Sequence, residues 1–294
     1  MGTECALYLF TEQENLADEI SDLAVGEVLR IEAKYSRYLP DSDLSKINRV
    51  AAKGGSIDVD EETAALIDYA FACYRQSGGL FDITSGLLRQ AWDFSRSSLP
   101  EQSTIDTLVP LIGLSKLIWQ NPSLTFASPG MEIDFGGIGK EYAADRVAEL
   151  CETRHIDHGL IDLGGDIRVI GAPPASKPWS IQIRDPKEPT TAIASLPIVA
   201  GAIATSGNYE RYIDVGGKRY CHILNPMTGW PTQGLSSVTV TAQSCMVAGS
   251  LSTIAMLKGK PGIEWLASLG VPHLWIDEQG ERGGNLFPSD SHQH

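Results

Sequence analysis

Two Gly-Gly steps, each closing an apolar run that carries one acid, constrain this chain more than any other feature. The first lies in Met131 to Asp145, MEIDFGGIGKEYAAD. Ile133 to Phe135 has the composition of a buried strand end. Gly136 and Gly137 let the backbone turn sharply and come close to a ligand or a neighbouring segment. Gly139 and Lys140 then lead into a helix that carries Tyr142, Ala143, Val147 and Leu150 at helical spacing. A strand, a glycine turn and a helix start can together hold a phosphate, because N–H groups at a helix N-terminus have no partner inside the helix. Lys140 adds a positive charge at the same place. The spacing is neither a P-loop nor GxGxxG, and a plain tight turn is the alternative. The second step lies in HGLIDLGGDIRVIG. Leu160 to Leu163 is apolar apart from Asp162, then come Gly164 and Gly165, then Asp166 and an apolar run from Ile167. It reads as a strand with a glycine kink, either a bulge or a sheet edge that holds something.

The flanking elements follow from periodicity and caps. Cys5 to Phe10 reads as a strand. Leu16, Ile20, Leu23, Val28, Ile31 and Tyr35 mark a long amphipathic helix. Ser42 caps a short helix through Asn48, and Asp60 caps another that stops at Ser77-Gly78-Gly79. Asp82 caps a further helix, continued by Trp92 and Phe94, or binds a ligand. Leu117 to Trp119 and Leu124 to Ala127 form a hairpin around Asn121-Pro122. Trp179 to Arg184, Leu196 to Val199, Ala202 to Thr205 and Ser236 to Ala242 read as strands, two of them cleanly alternating. Ser244 caps a helix with Val247, Leu251, Ile254 and Leu257 on one face, on which Gly249 and Thr253 stand four apart. Pro261 opens a last helix, and Leu274 to Ile276 is a late strand. Mixed helices and alternating strands without linkers or low-complexity tracts predict one α+β domain. The polar stretch from Gly283 to His294 reads as a frayed tail. A remote duplication around the two Gly-Gly steps is a further expectation.

Composition excludes several functions. A chain of 294 residues that is 43% hydrophobic and 20% charged can bury a full core. A formal net charge of -14 is the wrong sign for a nucleic-acid footprint, and it obliges any polyphosphate ligand to find local help from a metal, lysines or backbone amides. Cys5, Cys73, Cys151, Cys221 and Cys245 are odd in number and have no zinc-ligand spacing, so buried thiols are expected. No stretch reads as a transmembrane span. MGTECALYLF lacks a basic region followed by a long apolar run, which gives the expectation of a soluble cytoplasmic protein, or a periplasmic one if the chain is a trimmed mature form. Among single residues, Tyr38 sits in a polar loop where it either covers an aromatic ring or packs with its hydroxyl near water. His222, at the end of a strand, is a general base or a donor to a phosphate or ring, or a hydrogen-bonded structural residue.

Eight motifs taken in order carry a resemblance. They are MGT at Met1 to Thr3, YSRYLPDSDLSKIN, GGLFDIT, IDFGGIGKEYAADR, LIDLGGDIRVIG, IATSGNYERY, HILNPMTGWP and SVTVTAQSCMVAGSLST. Together the set resembles the ApbE-type flavin transferases, the FAD:protein FMN transferases. The resemblance implies a fold of twisted antiparallel sheets with packed helices over residues 1–282, with 283–294 as the tail. It implies binding of FAD, use of Mg2+, transfer of FMN to a threonine of an acceptor protein, and release of AMP. Carried over by position, Met1, Tyr38, Leu80, Phe81 and Asp82 lie along the flavin and its attached groups. Gly136, Lys140 and Tyr142 lie near the phosphates and adenosine. The Gly139 carbonyl and the Thr253 hydroxyl, with Ser252 beside it, face the metal. His222 and Ile223 border the flavin and the reacting phosphate.

The chain departs from that pattern at three acids. The family's metal-ligating aspartate is Gly249, the Asp of its Asp-Pro turn is Asn225, and the Asp of its SGDYERY is Asn208. Neutral oxygens hold Mg2+ less well than carboxylates, so a weakened metal site is expected, with Asp134, Asp162 or Asp166 as substitutes and Gly249→Asp as a gain in metal affinity. A flavin-binding or partner-binding homologue without turnover is the second reading. A nucleotide-binding regulator for another dinucleotide is a third.

Overall fold

The computed structural model describes residues 2–174, 177–188 and 190–286. The chain divides into two compact units. One comprises Met1–Glu32, Ile138–Tyr209 and Gln233–His294, the other Ala33–Gly137 and Glu210–Thr232. The fold is α+β with antiparallel sheets, as the sequence predicts.

The first unit is built on a seven-stranded antiparallel sheet. Its spatial order is Cys5–Leu9, Gly159–Leu163, Asp166–Gly171, Gly201–Gly207, Leu235–Ala242, His273–Asp277 and Arg282–Gly284. Alternation along each strand sorts the side chains onto two faces. Ile167, Val169, Ile203, Leu274 and Ile276 face one way. They pack with Ile183, Leu196 and Ile198 of the two-stranded Trp179–Arg184/Ala192–Ile198 sheet. The other face carries Asp166, Arg168, Ala202, Ala204 and Ser206, and on it lie the helices Gly139–Thr153 and Cys245–Lys258. Small residues under the second of these let the helix approach the sheet closely. The helix itself is buried on nearly every side. Such a helix is held by packing rather than by amphipathic periodicity.

In the second unit the predicted caps are in place. Ser42 accepts from the Ser45 N–H at 3.0 Å and opens helix Asp43–Ala51. Asp60 accepts from Thr63 at 2.8 Å and opens Glu61–Ser77, which ends on left-handed Gly78. Each such cap is worth about 1 kcal/mol. A three-stranded sheet runs Gly55–Asp58, Ser123–Phe126, Leu117–Gln120. A core of Leu87, Leu88, Trp92, Leu108 and Ile112 packs against the hairpin Tyr212–Val215/Lys218–Cys221 through Ile213.

Four local expectations change. Ile133 to Phe135 joins no strand: the Asn48 side chain pairs with the Ile133 backbone, and the Asp134 N–H donates to the Ile83 carbonyl at 2.7 Å. Asn48 Oδ1 accepts the Ile133 N–H at 2.8 Å and its Nδ2 donates to the Ile133 carbonyl at 2.9 Å. Gly164-Gly165 is the turn of a two-residue hairpin and not a kink within one strand. Leu163 pairs with Asp166, and both glycines have positive φ, 67° and 90°. Two left-handed residues in a row match the twist of the strands they join. The helix after Asp82 is a 3-10 turn that ends at Gln90, and beyond it Trp92 and Phe94 stack ring on ring at 5.7 Å. Gly283 and Gly284 belong to the edge strand of the large sheet, whereas 287–294 lie outside the described residues. The two Gly-Gly segments open different structures, one a helix and one a hairpin, so the local resemblance that suggested a duplication does not extend to their conformations. Among the described residues no helix is long and apolar enough to cross a membrane.

Candidate active site

Within the first unit, the predicted phosphate and metal residues converge on the helix-bearing face of the sheet. Helix Gly139–Thr153 starts without a side-chain cap. Its first helical bond runs from the Tyr142 N–H to the Ile138 carbonyl at 2.9 Å, so the amides before it lie at the open, positive end of the helix. Lys140 forms an ion pair with Asp166, the residue after the glycine hairpin. Burial works against the Lys140 charge, but Asp166 and Glu141 outweigh it and hold the ammonium above its ordinary range. Tyr142 is half-buried one turn in.

Glu141, which sequence reasoning passed over, is buried in the same cluster at 6% exposure. Burial first, then the Asp166 charge, pushes its carboxyl well above the carboxylate range, against the pull of Lys140. No donor reaches its Oε2, and a hydrogen bond shared with the Asp166 carboxyl adds to the upward push. The side chain lies over Gly249 of the facing helix. A Cβ on residue 249 would stand 2.6 Å from Glu141 Cγ and 3.0 Å from Oε1. Gly249→Asp therefore cannot simply add a ligand here, which changes the expectation drawn from the sequence.

One turn further along that helix, Ser252 and Thr253 meet Ser206 of the sheet. Ser206 Oγ is 2.8 Å from Ser252 Oγ and 2.9 Å from Thr253 Oγ1, and Ser252 donates to the Gly249 carbonyl at 3.0 Å. Each hydroxyl has one proton to give. With the Ser252 proton on the carbonyl, the Ser206 proton goes to Ser252 and the Thr253 proton to Ser206. The chain of donors thus starts at Thr253, whose oxygen lone pairs these bonds leave unspent. Ser252 is fully buried with its hydroxyl engaged on both sides, so of the two predicted metal-side hydroxyls only Thr253 keeps a free acceptor. Gly139, whose carbonyl was expected at the metal, is half-buried at the helix start.

Asp145 is a second residue that sequence reasoning did not single out. Its two oxygens accept the N–H groups of Cys245 at 2.7 Å and Met246 at 2.9 Å. It locks the start of helix Cys245–Lys258 beside Glu141, and burial raises its carboxyl pKa against those bonds. Cys245 is fully buried, and burial with the surrounding acids holds its thiol far from ionisation.

The second unit holds the residues expected along the flavin. Tyr38 is 76% exposed, with the Arg37 guanidinium over its ring at 5.2 Å. Arg37 is in turn paired with Asp134, which also accepts the Gly136 N–H at 2.9 Å. Gly136 itself is exposed. Phe81 is buried, and a Cβ on Gly137 would lie 3.2 Å from its ring; Leu80 before it is half-buried. Asp82 is spent on structure. Its Oδ1 accepts from the Thr84 amide at 2.8 Å and hydroxyl at 2.6 Å, and its Oδ2 from Leu114 at 2.9 Å.

His222 follows strand Lys218–Cys221 and is exposed. Nδ1 stands 3.1 Å from the Arg211 carbonyl. A carbonyl only accepts, so Nδ1 carries the proton and Nε2 keeps its lone pair. The protein packed around the ring desolvates it and holds its pKa below the ordinary value, against the pull of that carbonyl. Ile223 is buried beside it, its carbonyl accepting from Thr232 at 2.9 Å. Met1 lies outside the described residues.

The ApbE family pattern matches residues 1–275. The chain belongs to the ApbE family. It is 31% identical over 243 residues to an FAD:protein FMN transferase of Haemophilus influenzae, covering 78% of this chain and 70% of that one. Another FAD:protein FMN transferase, from Klebsiella pneumoniae, is 32% identical over 246 residues, 82% of this chain and 74% of its own. The crystal structure of the ApbE protein from Thermotoga maritima superposes with a TM-score of 0.88 at 31% identity, covering 97% of this chain and 94% of the other.

At two of the three positions where the sequence reading expected an acid of the ApbE pattern, the residue present has a structural use. Asn225 Oδ1 accepts the Met227 N–H at 2.9 Å, closing the Asn-Pro turn, a bond for which an amide oxygen serves as well as a carboxylate. Asn208 donates through Nδ2 to the Leu235 carbonyl at 3.3 Å, which an ionised aspartate could not do. The acids named as substitutes are engaged elsewhere. Asp162 accepts the Gly165 N–H at 2.7 Å, Asp134 pairs with Arg37, and Asp166 pairs with Lys140.

Proposed function

We propose that this protein is an FAD:protein FMN transferase. FAD binds, the threonine hydroxyl of an acceptor protein attacks the FMN phosphorus, the P–O bond to AMP breaks, and AMP leaves. The observation that carries the reading is the family match over residues 1–275.

Each group has a part that its chemistry suits. Lys140 spends one N–H on Asp166 and keeps two for phosphate oxygens. The open end of helix Gly139–Thr153 faces the same charge. Nε2 of His222 takes the threonine proton. Exposed Tyr38, stiffened by Arg37, covers the flavin ring. Among the described residues no group of three or more His, Cys, Asp or Glu side chains is arranged to hold a metal ion. The residues still fit magnesium, which takes few protein carboxylates and fills its shell with phosphate and water oxygens. The unpartnered Glu141 Oε2 and the unspent lone pairs of Thr253 are oxygens of the right kind. When bound, magnesium supplies neutralisation of the pyrophosphate charge.

The test is intact-protein mass spectrometry of a threonine-bearing acceptor domain after incubation with the protein, FAD and magnesium. A mass gain of one FMN is expected. No gain, with FAD bound in a separate titration, favours the homologue without turnover, the reading to which Gly249 points. The same assay checks the base. His222→Ala should slow transfer by about 10²-fold or more. Because desolvation holds the His222 pKa below the ordinary imidazole range, the wild-type rate should stay level through neutral pH and fall only on the acid side of that range. A rate that already falls on the alkaline side of the ordinary imidazole range would exclude His222 as the titrating base.

A further inference from the structure

We propose that Glu141 supplies the metal-ligating carboxylate that Gly249 lacks, so that the ligand has moved from one helix to the facing one. The inference rests on the transferase reading above and assigns a ligand within it. Three observations carry it. The Glu141 side chain fills the space over Gly249, 2.6 Å from where a Cβ there would stand. A side chain on residue 249 and the glutamate on residue 141 therefore exclude one another. The carboxyl is buried, yet its Oε2 has no hydrogen-bond partner. An orphaned buried oxygen is costly unless something completes it. Gly249 also leads by one helical turn to Thr253, which shares its face and whose oxygen keeps its lone pairs after the bond to Ser206.

The other acids at hand do not compete. Asp166 is held by Lys140, and Asp145 is spent on the Cys245 and Met246 amides. Glu141 is the carboxyl of the cluster whose Oε2 no donor reaches; in its neutral form it shares a proton with Asp166, and a cation bound here would displace that proton. A cation there would be reached by one carboxylate oxygen and the Thr253 hydroxyl, with phosphate and water oxygens completing the shell, a set that suits a hard divalent ion.

The test is Mn2+ binding, followed by the electron paramagnetic resonance of the free ion, with and without FAD. It uses the wild type, Glu141→Gln, Glu141→Gly and the swap Glu141→Gly/Gly249→Asp, each checked for folding by circular dichroism. Glu141→Gln keeps the shape and removes the charge, and should weaken Mn2+ about tenfold or more, since even outer partners of a metal ligand matter on that scale. The swap should bind Mn2+ more tightly than Glu141→Gly alone. Wild-type affinity in Glu141→Gln, or no Mn2+ binding by the wild type, would overturn the assignment. If Glu141→Gln fails to fold, the comparison of Glu141→Gly with the swap decides, and equal weakness overturns it. FMN transfer with Glu141-independent Mn2+ binding sinks the ligand and leaves the transferase. Glu141-dependent binding without transfer does the reverse.

Discussion

Residues 133–137 read Ile-Asp-Phe-Gly-Gly and residues 161–165 read Ile-Asp-Leu-Gly-Gly, yet the two segments build different things. In the first, neither glycine has a positive φ, and the chain passes into helix Gly139–Thr153. In the second, both glycines are left-handed and the chain folds straight back as a strand. The aspartates differ too. Asp134 takes the amide two residues on and pairs with Arg37, whereas Asp162 takes the amide three residues on and closes the hairpin. The residues downstream of each glycine pair make the difference. Ala143, Val147 and Leu150 recur at helical spacing after the first, while Ile167 and Val169 alternate with Arg168 after the second. A Gly-Gly step marks where the chain turns, and its downstream pattern sets what the turn becomes.

The two segments share one product, because Lys140 comes after the first and Asp166 after the second, and the two form the ion pair of the candidate site. Breaking it gives the largest expected effect. Asp166→Ala leaves the half-buried Lys140 ammonium without its closest counter-charge and should cost about 3 kcal/mol, the low end for such a loss, read as a lower urea midpoint. An unchanged midpoint would mean that the pair serves ligand binding alone. Next comes Gly164→Ala, which forces a left-handed alanine and drives its Cβ into the Thr3 side chain. A loss of about 2 kcal/mol is expected. The sharpest comparison is smaller. A Cβ on Gly165 meets nothing within 4 Å and is penalised only for its φ of 90°, about 1 kcal/mol. Gly137→Ala has no such backbone penalty. It presses on the Phe81 ring but restricts the unfolded chain, and should stay within about 1 kcal/mol of wild type. If Gly137→Ala proves the more damaging of the pair, packing rather than backbone conformation dominates at both turns.

Much of the fold could be read residue by residue. Ser42, Asp60 and Ser244 each cap the helix expected of them, since a cap needs only a side-chain oxygen a few residues from an open amide. Asp82, left open between cap and ligand, has both oxygens engaged in local structure. Ile133 to Phe135 misled because the Ile133 backbone is paired by the Asn48 side chain, 85 positions away, and Asp134 by the single Ile83 carbonyl, and no periodicity signals that. In the site, the resemblance directed attention to Gly249 as the place where an aspartate was expected. The meaning of Glu141 was not, since it comes directly after Lys140 within a motif that the glycines and the lysine explain.

The sequence by itself determined the local grammar: caps, turns, alternation, an acidic surface, and an ordered set of motifs that names the family. These are contacts between residues a few positions apart, or a pattern along the chain, so they need no third dimension. Only the tertiary structure decided which acid stands where. Helices Gly139–Thr153 and Cys245–Lys258 lie side by side on one sheet face, and only that packing brings the longer side chain of Glu141 over the bare backbone of Gly249. Whether a carboxyl is spent or left over depends on every donor around it, and in Glu141 the packing leaves one oxygen without a partner.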